Sequence, residues 1–203
     1  MKIQLLSRGF AHLQDYVLPY IASVRKHEPD ANLCIVDNGS PEPYPQFDEA
    51  ESFRTDNLAI MSSFNRAIYA HPGCDWYVLS DTDILCTGKF LDTVSGWDKH
   101  SIYGMQRFQQ GSVEWFDGWL FGISSEALEK IGYFDEYFMV TGAFQDLDYC
   151  IRARSAGFTL RDASLPFIHL EANTTHKSPN FWQNREINRR LIQTKHNFTL
   201  VNR

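Results

Sequence analysis

The sequence lacks the cysteine spacings of metal fingers and disulfide scaffolds. Its 4 cysteines, Cys34, Cys74, Cys86 and Cys150, are scattered along 203 residues without a Cys-x-x-Cys pair. This pattern disfavours a zinc ribbon or a disulfide framework. Each cysteine is therefore expected to be a reduced and mostly buried small residue.

Long hydrophobic runs, internal repeats and low-complexity linkers are also missing. No window approaches the roughly 18 uninterrupted apolar residues of a membrane-spanning helix. The apolar run within residues 1–8 is too short for a signal peptide. A chain of 203 residues suffices for one sizeable core but not for two ordinary domains. We therefore expect a single-domain cytoplasmic protein.

The net charge of −6 is unevenly distributed. Residues 177–203 hold six Lys or Arg and one Glu, whereas residues 1–176 hold 13 basic and 24 acidic residues, a balance of −11. An acidic chain is a poor candidate for a nucleic-acid partner. The basic end is either a solvated helix face or a contact for an acidic acceptor, a phosphate or a membrane surface.

Apolar runs of strand length alternate with helical patterns, which predicts an α/β fold with a central, mostly parallel twisted sheet flanked by helices. The predicted strands are Ile3–Leu6, Leu33–Val36, Trp76–Ser80, Trp119–Ser124 and Phe167–His169. The predicted helices are Asp15–Lys26, Ser62–Ala70, Ser125–Ile131, Gln145–Ala156 and Phe181–His196. Asp15 is a candidate cap for the first of these helices.

Polar residues follow three of these strands directly. Ser7 and Arg8 follow the first, Asp37 the second, and Asp81 and Asp83 the third. Ligands of open α/β sheets bind outside the carboxyl ends of the strands. We therefore expect these side chains to converge on one binding site.

Asp81-Thr82-Asp83 is the strongest single feature. Two carboxylates separated by one residue at a strand end can hold Mn²⁺ or Mg²⁺, and such ions keep open positions for phosphate oxygens. The cation would stabilise a diphosphate as a leaving group. The alternative is a turn that contains the pair by chance.

Three further positions are candidates for chemistry. Asp146 lies in the first turn of a predicted helix, where the helix dipole favours the ionised form that a general base needs. His169 ends a strand and could be a third metal ligand, with His176 a weaker candidate. Asp117-Gly118 lies between two tryptophans, where a carboxylate suits sugar hydroxyls, although Asp-Gly is also a common turn.

Taken in order, these motifs resemble a small family 2 glycosyltransferase of the GT-A fold. The resemblance extends from about residue 3 to residue 170 and rests on the order of five segments. The matching segments are Ile35–Ser40, Asn57 with Phe64–Ile68, Trp76–Ile84, Gly118–Glu136, and Gln145–Arg152 with Ala156–Phe158. Gln145 stands where the family usually has Glu or Asp, so the base assignment rests on Asp146 alone.

The resemblance implies a metal-dependent transfer from a nucleotide-sugar, most often a UDP-sugar, to an acceptor hydroxyl with inversion. The transferred group would be a hexosyl or N-acetylhexosaminyl unit, and a glycan is one candidate acceptor. Asp146 would be the catalytic base, and Asp83 and His169 would hold the metal, with Asp81 a further candidate ligand. The implied nucleotide-sugar contacts are Ser7, Arg8, Asp37, Asn65, Asp81, Asp117 and Gly118.

We expect three regions within a single GT-A domain of residues 1–203. Residues 1–100 would bind the nucleotide-sugar, residues 101–176 would carry the acceptor and catalytic half, and residues 177–203 would form the basic C-terminal helix and tail. Three other functions stay open: a haloacid-dehalogenase-like phosphatase, a sugar nucleotidyltransferase, and a non-catalytic nucleotide- or sugar-binding module. The sugar nucleotidyltransferase is disfavoured because no Gly-rich, Lys-containing phosphate loop follows the first strand.

Overall fold

The computed structural model describes residues 1–138, 143–170, 180–198 and 200. The strands are β1 Ile3–Gly9, β2 Asn32–Asn38, β3 Glu51–Thr55, β4 Trp76–Asp81, β5 Ile84–Cys86, β6 Ser101–Gly104, β7 Arg107–Gln110, β8 Val113–Phe116, β9 Leu120–Ser124, β10 Thr159–Asp162 and β11 Phe167–His169. The helices are α1 Leu18–His27, α2 Ser62–Ala70, α3 Leu91–Ser95, α4 Ser125–Ile131, α5 Gln145–Ser155 and α6 Phe181–His196.

A seven-stranded sheet with the order β10-β6-β9-β4-β1-β2-β3 forms the centre of the molecule. Strands β3, β2, β1 and β4 are parallel neighbours, and β9 runs antiparallel between β4 and β6. The predicted α/β class and mostly parallel sheet are therefore confirmed. The antiparallel strand was not predicted, because the sequence pattern of a buried strand does not record its direction.

Each face of the sheet is covered by helices because the strand side chains alternate between its two sides. Leu5, Ile35 and Val78 pack on one side with α1. Their neighbours Leu6, Val36 and Leu79 pack on the other side with α2 and α5. Full burial of an apolar side chain of this size contributes roughly 1.5–3 kcal/mol to stability.

The predicted boundaries of α2, α4, α6 and β11 agree with the structure. Gly132 and Gly157 follow α4 and α5 with φ angles of 83° and 90°, a left-handed conformation that glycine adopts without strain. The first predicted helix differs, since a π-helical turn over Leu13–Val17 precedes α1 and begins after His12. The prediction that Asp15 caps the helix is therefore wrong.

The short strands β3, β5, β6 and β10 and the β7–β8 hairpin were not predicted. Each of these strands has three to five residues and few alternating positions, so its pattern is hard to distinguish from a loop, although β11 was predicted at similar length. The hairpin is mostly polar and only partly buried, so its pattern is weaker still.

Helix α6 packs on α5 through both apolar and charged contacts. Ile192 is buried against α5, whereas Ile187 is 43% exposed. Lys195 Nζ and His196 Nε2 each lie 2.7 Å from Asp148 Oδ1 on α5. Part of the basic C-terminal charge therefore neutralises a buried carboxylate of the chain itself.

The structure also bears on membrane-spanning helices and on the cysteines. Among the described residues, no helix is long and apolar enough to cross a membrane. All 4 cysteines are free and buried, as predicted.

Candidate active site

The carboxyl ends of β1, β2 and β4 bring the predicted polar residues to one edge of the sheet. In the strand register Arg8 is the partner of Asp81, and Gly9 is the partner of Asp37. The backbone pairing therefore aligns all three strand ends in one row. Arg8, Asp37 and Asp81 therefore lie at one edge as expected, and their assignment to one binding site stays a prediction.

Asp37 organises the loop that follows β2. Its Oδ1 accepts a hydrogen bond from the Ser40 amide at 2.8 Å, and its Oδ2 accepts one from the Tyr44 amide at 3.1 Å. The guanidinium of Arg54 on β3 donates to the same Oδ2. Because the carboxylate is only 1% exposed, it fixes the loop conformation and presents little free surface.

Arg8 and Asp81 form a partly buried ion pair at the centre of this edge. Both Nε and Nη2 of Arg8 donate to Asp81 Oδ1, the former at 3.0 Å. Burial raises the pKa of Asp81, and the Arg8 charge opposes that effect. Oδ1 of Asp81 is thus occupied by a cationic side chain.

Asp83 lies beside His169 and has a buried oxygen that accepts no hydrogen bond from the described part of the chain. Among the described residues, Oδ1 of Asp83 is one of three buried side-chain N or O atoms without a hydrogen-bond partner of normal geometry. Nε2 of His169 lies 3.5 Å from this oxygen. Interaction with Asp83 is the main effect that raises the pKa of His169. An unpaired buried carboxylate oxygen next to an imidazole is a donor set that fits Mn²⁺.

Short β-structure holds His169 in place. Strand β11 pairs with β5 so that His169 is the register partner of Ile84, which follows Asp83. The imidazole also stacks on the Trp119 indole, with ring centroids 4.9 Å apart and an interplanar angle of 5°. The sequence did not indicate this stacking, because residues 119 and 169 are far apart in the chain.

The segment Asp117–Trp119 connects this metal-binding candidate to Asp146. The carbonyl of Trp119 accepts a hydrogen bond from the Asp81 amide at 3.0 Å. On the other side, a Cβ atom added to Gly118 would lie 3.5 Å from Asp146 Oδ2. Asp81, Asp146 and His169 each lie next to this segment, which itself carries the predicted residues Asp117 and Gly118, and His169 in turn adjoins Asp83.

Asp146 is a half-buried carboxylate in the first turn of α5. Its Oδ1 accepts a hydrogen bond from the Leu147 amide at 2.9 Å. Burial raises the pKa of Asp146 to about 7, and the neighbouring Asp117 carboxylate contributes to the increase. A carboxylate with a pKa near neutrality is suited to accept a proton at physiological pH.

Gln145 and Asp148, on either side of Asp146, hold α5 in position. The Gln145 amide accepts a hydrogen bond from the Met61 amide at 2.9 Å and donates to Ser62 Oγ at 3.0 Å and to the Asp135 carbonyl at 2.9 Å. A carboxylate could not donate both bonds. Hydrogen bonds from Lys195 and His196 keep the pKa of Asp148 below its usual value, although burial alone would raise it.

Two predicted contacts lie away from this edge. The Ser7 hydroxyl is fully buried and hydrogen-bonds Tyr20 Oη at 2.6 Å and Ser80 Oγ at 2.9 Å. Asn65 Nδ2 donates to the Phe134 carbonyl at 2.9 Å, and its Oδ1 accepts from the Phe134 amide at 3.0 Å. Both side chains thus support the core and the loop before α5. His176 lies outside the described residues.

No protein-family model matches the sequence. No curated protein matches it either. Solved structures do match. One of them is GalNAc-T7 with UDP, GalNAc and Mn²⁺. It matches at a TM-score of 0.68 and 10% identity, over 83% of this chain and 43% of its own.

Two other structures show the same likeness. The mannosyltransferase PcManGT from Pyrobaculum calidifontis, in complex with GDP-Man and Mn²⁺, matches at a TM-score of 0.60 and 13% identity over 79% of this chain and 54% of its own. TarS from S. aureus matches at a TM-score of 0.61 and 12% identity, over 98% of this chain and 44% of its own. The chain therefore spans about half the length of the structures it matches. Together with the sheet order, these likenesses establish that the chain has the GT-A fold.

Proposed function

We propose that the protein is a metal-dependent glycosyltransferase that moves a sugar from a nucleotide-sugar to an acceptor hydroxyl. The observation that carries the proposal is the pairing of two features across Asp117–Trp119. On one side is the unpaired Asp83 oxygen beside His169. On the other is Asp146, whose raised pKa fits a base. Two structurally similar proteins, GalNAc-T7 and PcManGT, were solved with a nucleotide or nucleotide-sugar together with Mn²⁺.

In this proposal Asp83 and His169 hold Mn²⁺ or Mg²⁺. The cation would supply positive charge to the diphosphate of the donor. Arg8 and Asp81, fixed by their mutual ion pair, would orient the ribose or the donor sugar. The loop that Asp37 organises would border the base, and UDP is the nucleotide we expect from the family resemblance. Asp117 and Gly118 would contact the sugar.

Asp146 would accept the proton of the acceptor hydroxyl. The hydroxyl oxygen then bonds to the anomeric carbon while the bond from that carbon to the diphosphate breaks. The bond electrons leave with the nucleoside diphosphate, and the proton remains on Asp146. Attack from the face opposite the leaving group inverts the configuration. A hexosyl or N-acetylhexosaminyl unit is the proposed cargo.

The structure bears on one rival function. A phosphatase of the haloacid-dehalogenase type would use the first aspartate of Asp81-Thr82-Asp83 as its nucleophile. Oδ1 of Asp81 instead accepts two hydrogen bonds from Arg8, which lowers its nucleophilicity. This arrangement favours the transferase over the phosphatase.

Calorimetric titration with UDP tests the donor site. We expect binding in Mn²⁺ that is lost in EDTA and lost in Asp83→Asn. Asp92→Asn is the matched control, because it makes the same chemical change on the exposed surface of α3. Loss of UDP binding in the control, or equal binding with and without metal, would contradict the assignment of Asp83.

Transfer is tested separately from binding. UDP-sugars that bind are screened for slow hydrolysis and then for transfer to glycan acceptors, with wild type and Asp146→Asn compared. We expect Asp146→Asn to keep metal-dependent UDP binding and to lose turnover. If both wild type and Asp146→Asn bind UDP with metal but neither turns over any donor, the protein is a non-catalytic binding module instead.

A further inference from the structure

Three potential metal ligands lie together at the amino-terminal ends of β2 and β3. Cys34, Glu51 and His71 each offer one ligand atom, and these atoms lie within 4.8 Å of one another. Cys34 and Glu51 are register partners on the paired strands, and His71 directly follows α2. Two strands and a helix end therefore fix the backbone of all three residues.

Hydrogen bonding fixes the orientation of the His71 ring. Nδ1 lies 2.7 Å from the Ala67 carbonyl oxygen and must donate to it, because a carbonyl can only accept. Nε2 then faces Glu51 Oε2 at 2.8 Å. The ring nitrogen and the carboxylate oxygen, both potential metal-ligand atoms, therefore face each other. A backbone carbonyl on the second ring nitrogen is the usual support of a metal-binding histidine.

The Cys34 thiol completes the cluster from the buried side. It lies in the core face beneath α2, whereas the Glu51 side chain is 56% exposed and gives a cation access from solvent. Burial, with a contribution from Glu51, raises the pKa of the Cys34 thiol to about 12. The thiol is therefore protonated in the absence of a cation. Coordination replaces that proton.

We propose that Cys34, Glu51 and His71 form a zinc site that ties β2, β3 and the end of α2 together. Thiolate, imidazole and carboxylate are the ligands that Zn²⁺ takes in proteins, and three of them leave the fourth position for water. Mg²⁺ prefers a set made of oxygen atoms only. The proposal does not depend on the transferase function, because Cys34 precedes Asp37 by three residues, about 10 Å, along β2.

The site would stabilise the edge of the sheet. Strand β3 is the last strand at this side and pairs only with β2 among the described strands. A zinc ion shared with His71 would fasten this edge strand to α2. The same helix lies near the candidate active site, since the Met61 amide before it bonds Gln145.

Cobalt substitution tests the proposal with the whole protein. The chain is stripped with a chelator and titrated with Co²⁺ while the thiolate-to-cobalt charge-transfer absorption is recorded. The Asp83→Asn background is used throughout, so that the proposed donor-metal site contributes little. We expect the band in this background, its loss when Cys34→Ser is added, and its retention when Cys86→Ser, another buried cysteine, is added instead.

A second series guards against misfolding of the cysteine variant. Glu51→Gln changes an exposed side chain and should weaken Zn²⁺ binding by at least about tenfold, since even outer-shell changes cost 10–100-fold. Absence of the thiolate band in the parent, its persistence in Cys34→Ser, or unchanged Zn²⁺ affinity in Glu51→Gln would overturn the proposal.

Discussion

Replacing Asp146 with asparagine should stabilise the protein while abolishing transfer. The carboxylate is half-buried, and burial together with Asp117 raises its pKa from 3.8 to about 7. The folded state therefore favours the neutral form. Above that pKa the native protein carries an ionised group that would be better solvated in the unfolded chain. Asparagine has a similar shape and stays neutral at every pH.

The magnitude follows from the shift in pKa. A difference of about 3 pKa units corresponds to about 4 kcal/mol, at about 1.4 kcal/mol per unit. Because the pKa of Asp146 is higher in the folded state, the stabilisation contributed by its protonated form is fully present below pH 3.8 and is lost as the pH rises through about 7. Solvent screening at a half-buried site reduces the expected gain of Asp146→Asn above neutrality to roughly 1–3 kcal/mol.

Urea denaturation of the metal-free protein at about pH 5 and about pH 8 measures this gain. The advantage of Asp146→Asn over wild type should be larger at the higher pH, and turnover should fall by about 10²–10⁴-fold, the usual contribution of a general base. Asp30→Asn, an exposed control, should show no pH-dependent difference. A constant difference at both pH values would refute the assignment of a raised pKa.

Three further substitutions test the support of the site by denaturation. Gln145→Glu removes the amide donor to Ser62 and Asp135 and should cost about 1–3 kcal/mol, so an unchanged midpoint would contradict the hydrogen-bond assignment. Asp148→Asn breaks a buried ion cluster and should cost about 3–5 kcal/mol, unlike the exposed Asp92→Asn. Gly104→Ala would place a Cβ in steric overlap with Cγ of Phe116 and should cost about 1–3 kcal/mol, whereas Gly96→Ala would make only ordinary van der Waals contacts. Equal effects of the two alanine variants would show that the packing there is looser than described.

The fold class was predictable because its signal is local. Buried strands β1, β2 and β4 are continuous apolar runs, and α2, α4 and α6 combine periodicity with clear ends, so their positions follow from short windows. The carboxyl-end rule then predicts where Arg8, Asp37 and Asp81 meet. Strands such as β6 and β10 contain four residues each and take their conformation from their neighbours.

Individual roles were less predictable, because they depend on partners that are distant in sequence. Ser7 occupies a strand end that predicts a ligand contact, yet Tyr20 and Ser80 engage its hydroxyl within the core. Gln145 stands at a position that the resemblance associates with an acid, and the structure gives the amide three bonds to distant backbone and side-chain atoms. Neither arrangement is encoded in a short motif.

The sequence by itself determined the alternation of strands and helices and the edge at which polar residues gather. These properties depend on side-chain periodicity and on the direction of parallel strands. Only the tertiary structure decided that Asp83 keeps an unpaired oxygen beside His169 while Arg8 engages Asp81. It also decided that Cys34, Glu51 and His71 meet. The availability of a donor atom depends on every group packed around it, and packing joins residues that the chain separates.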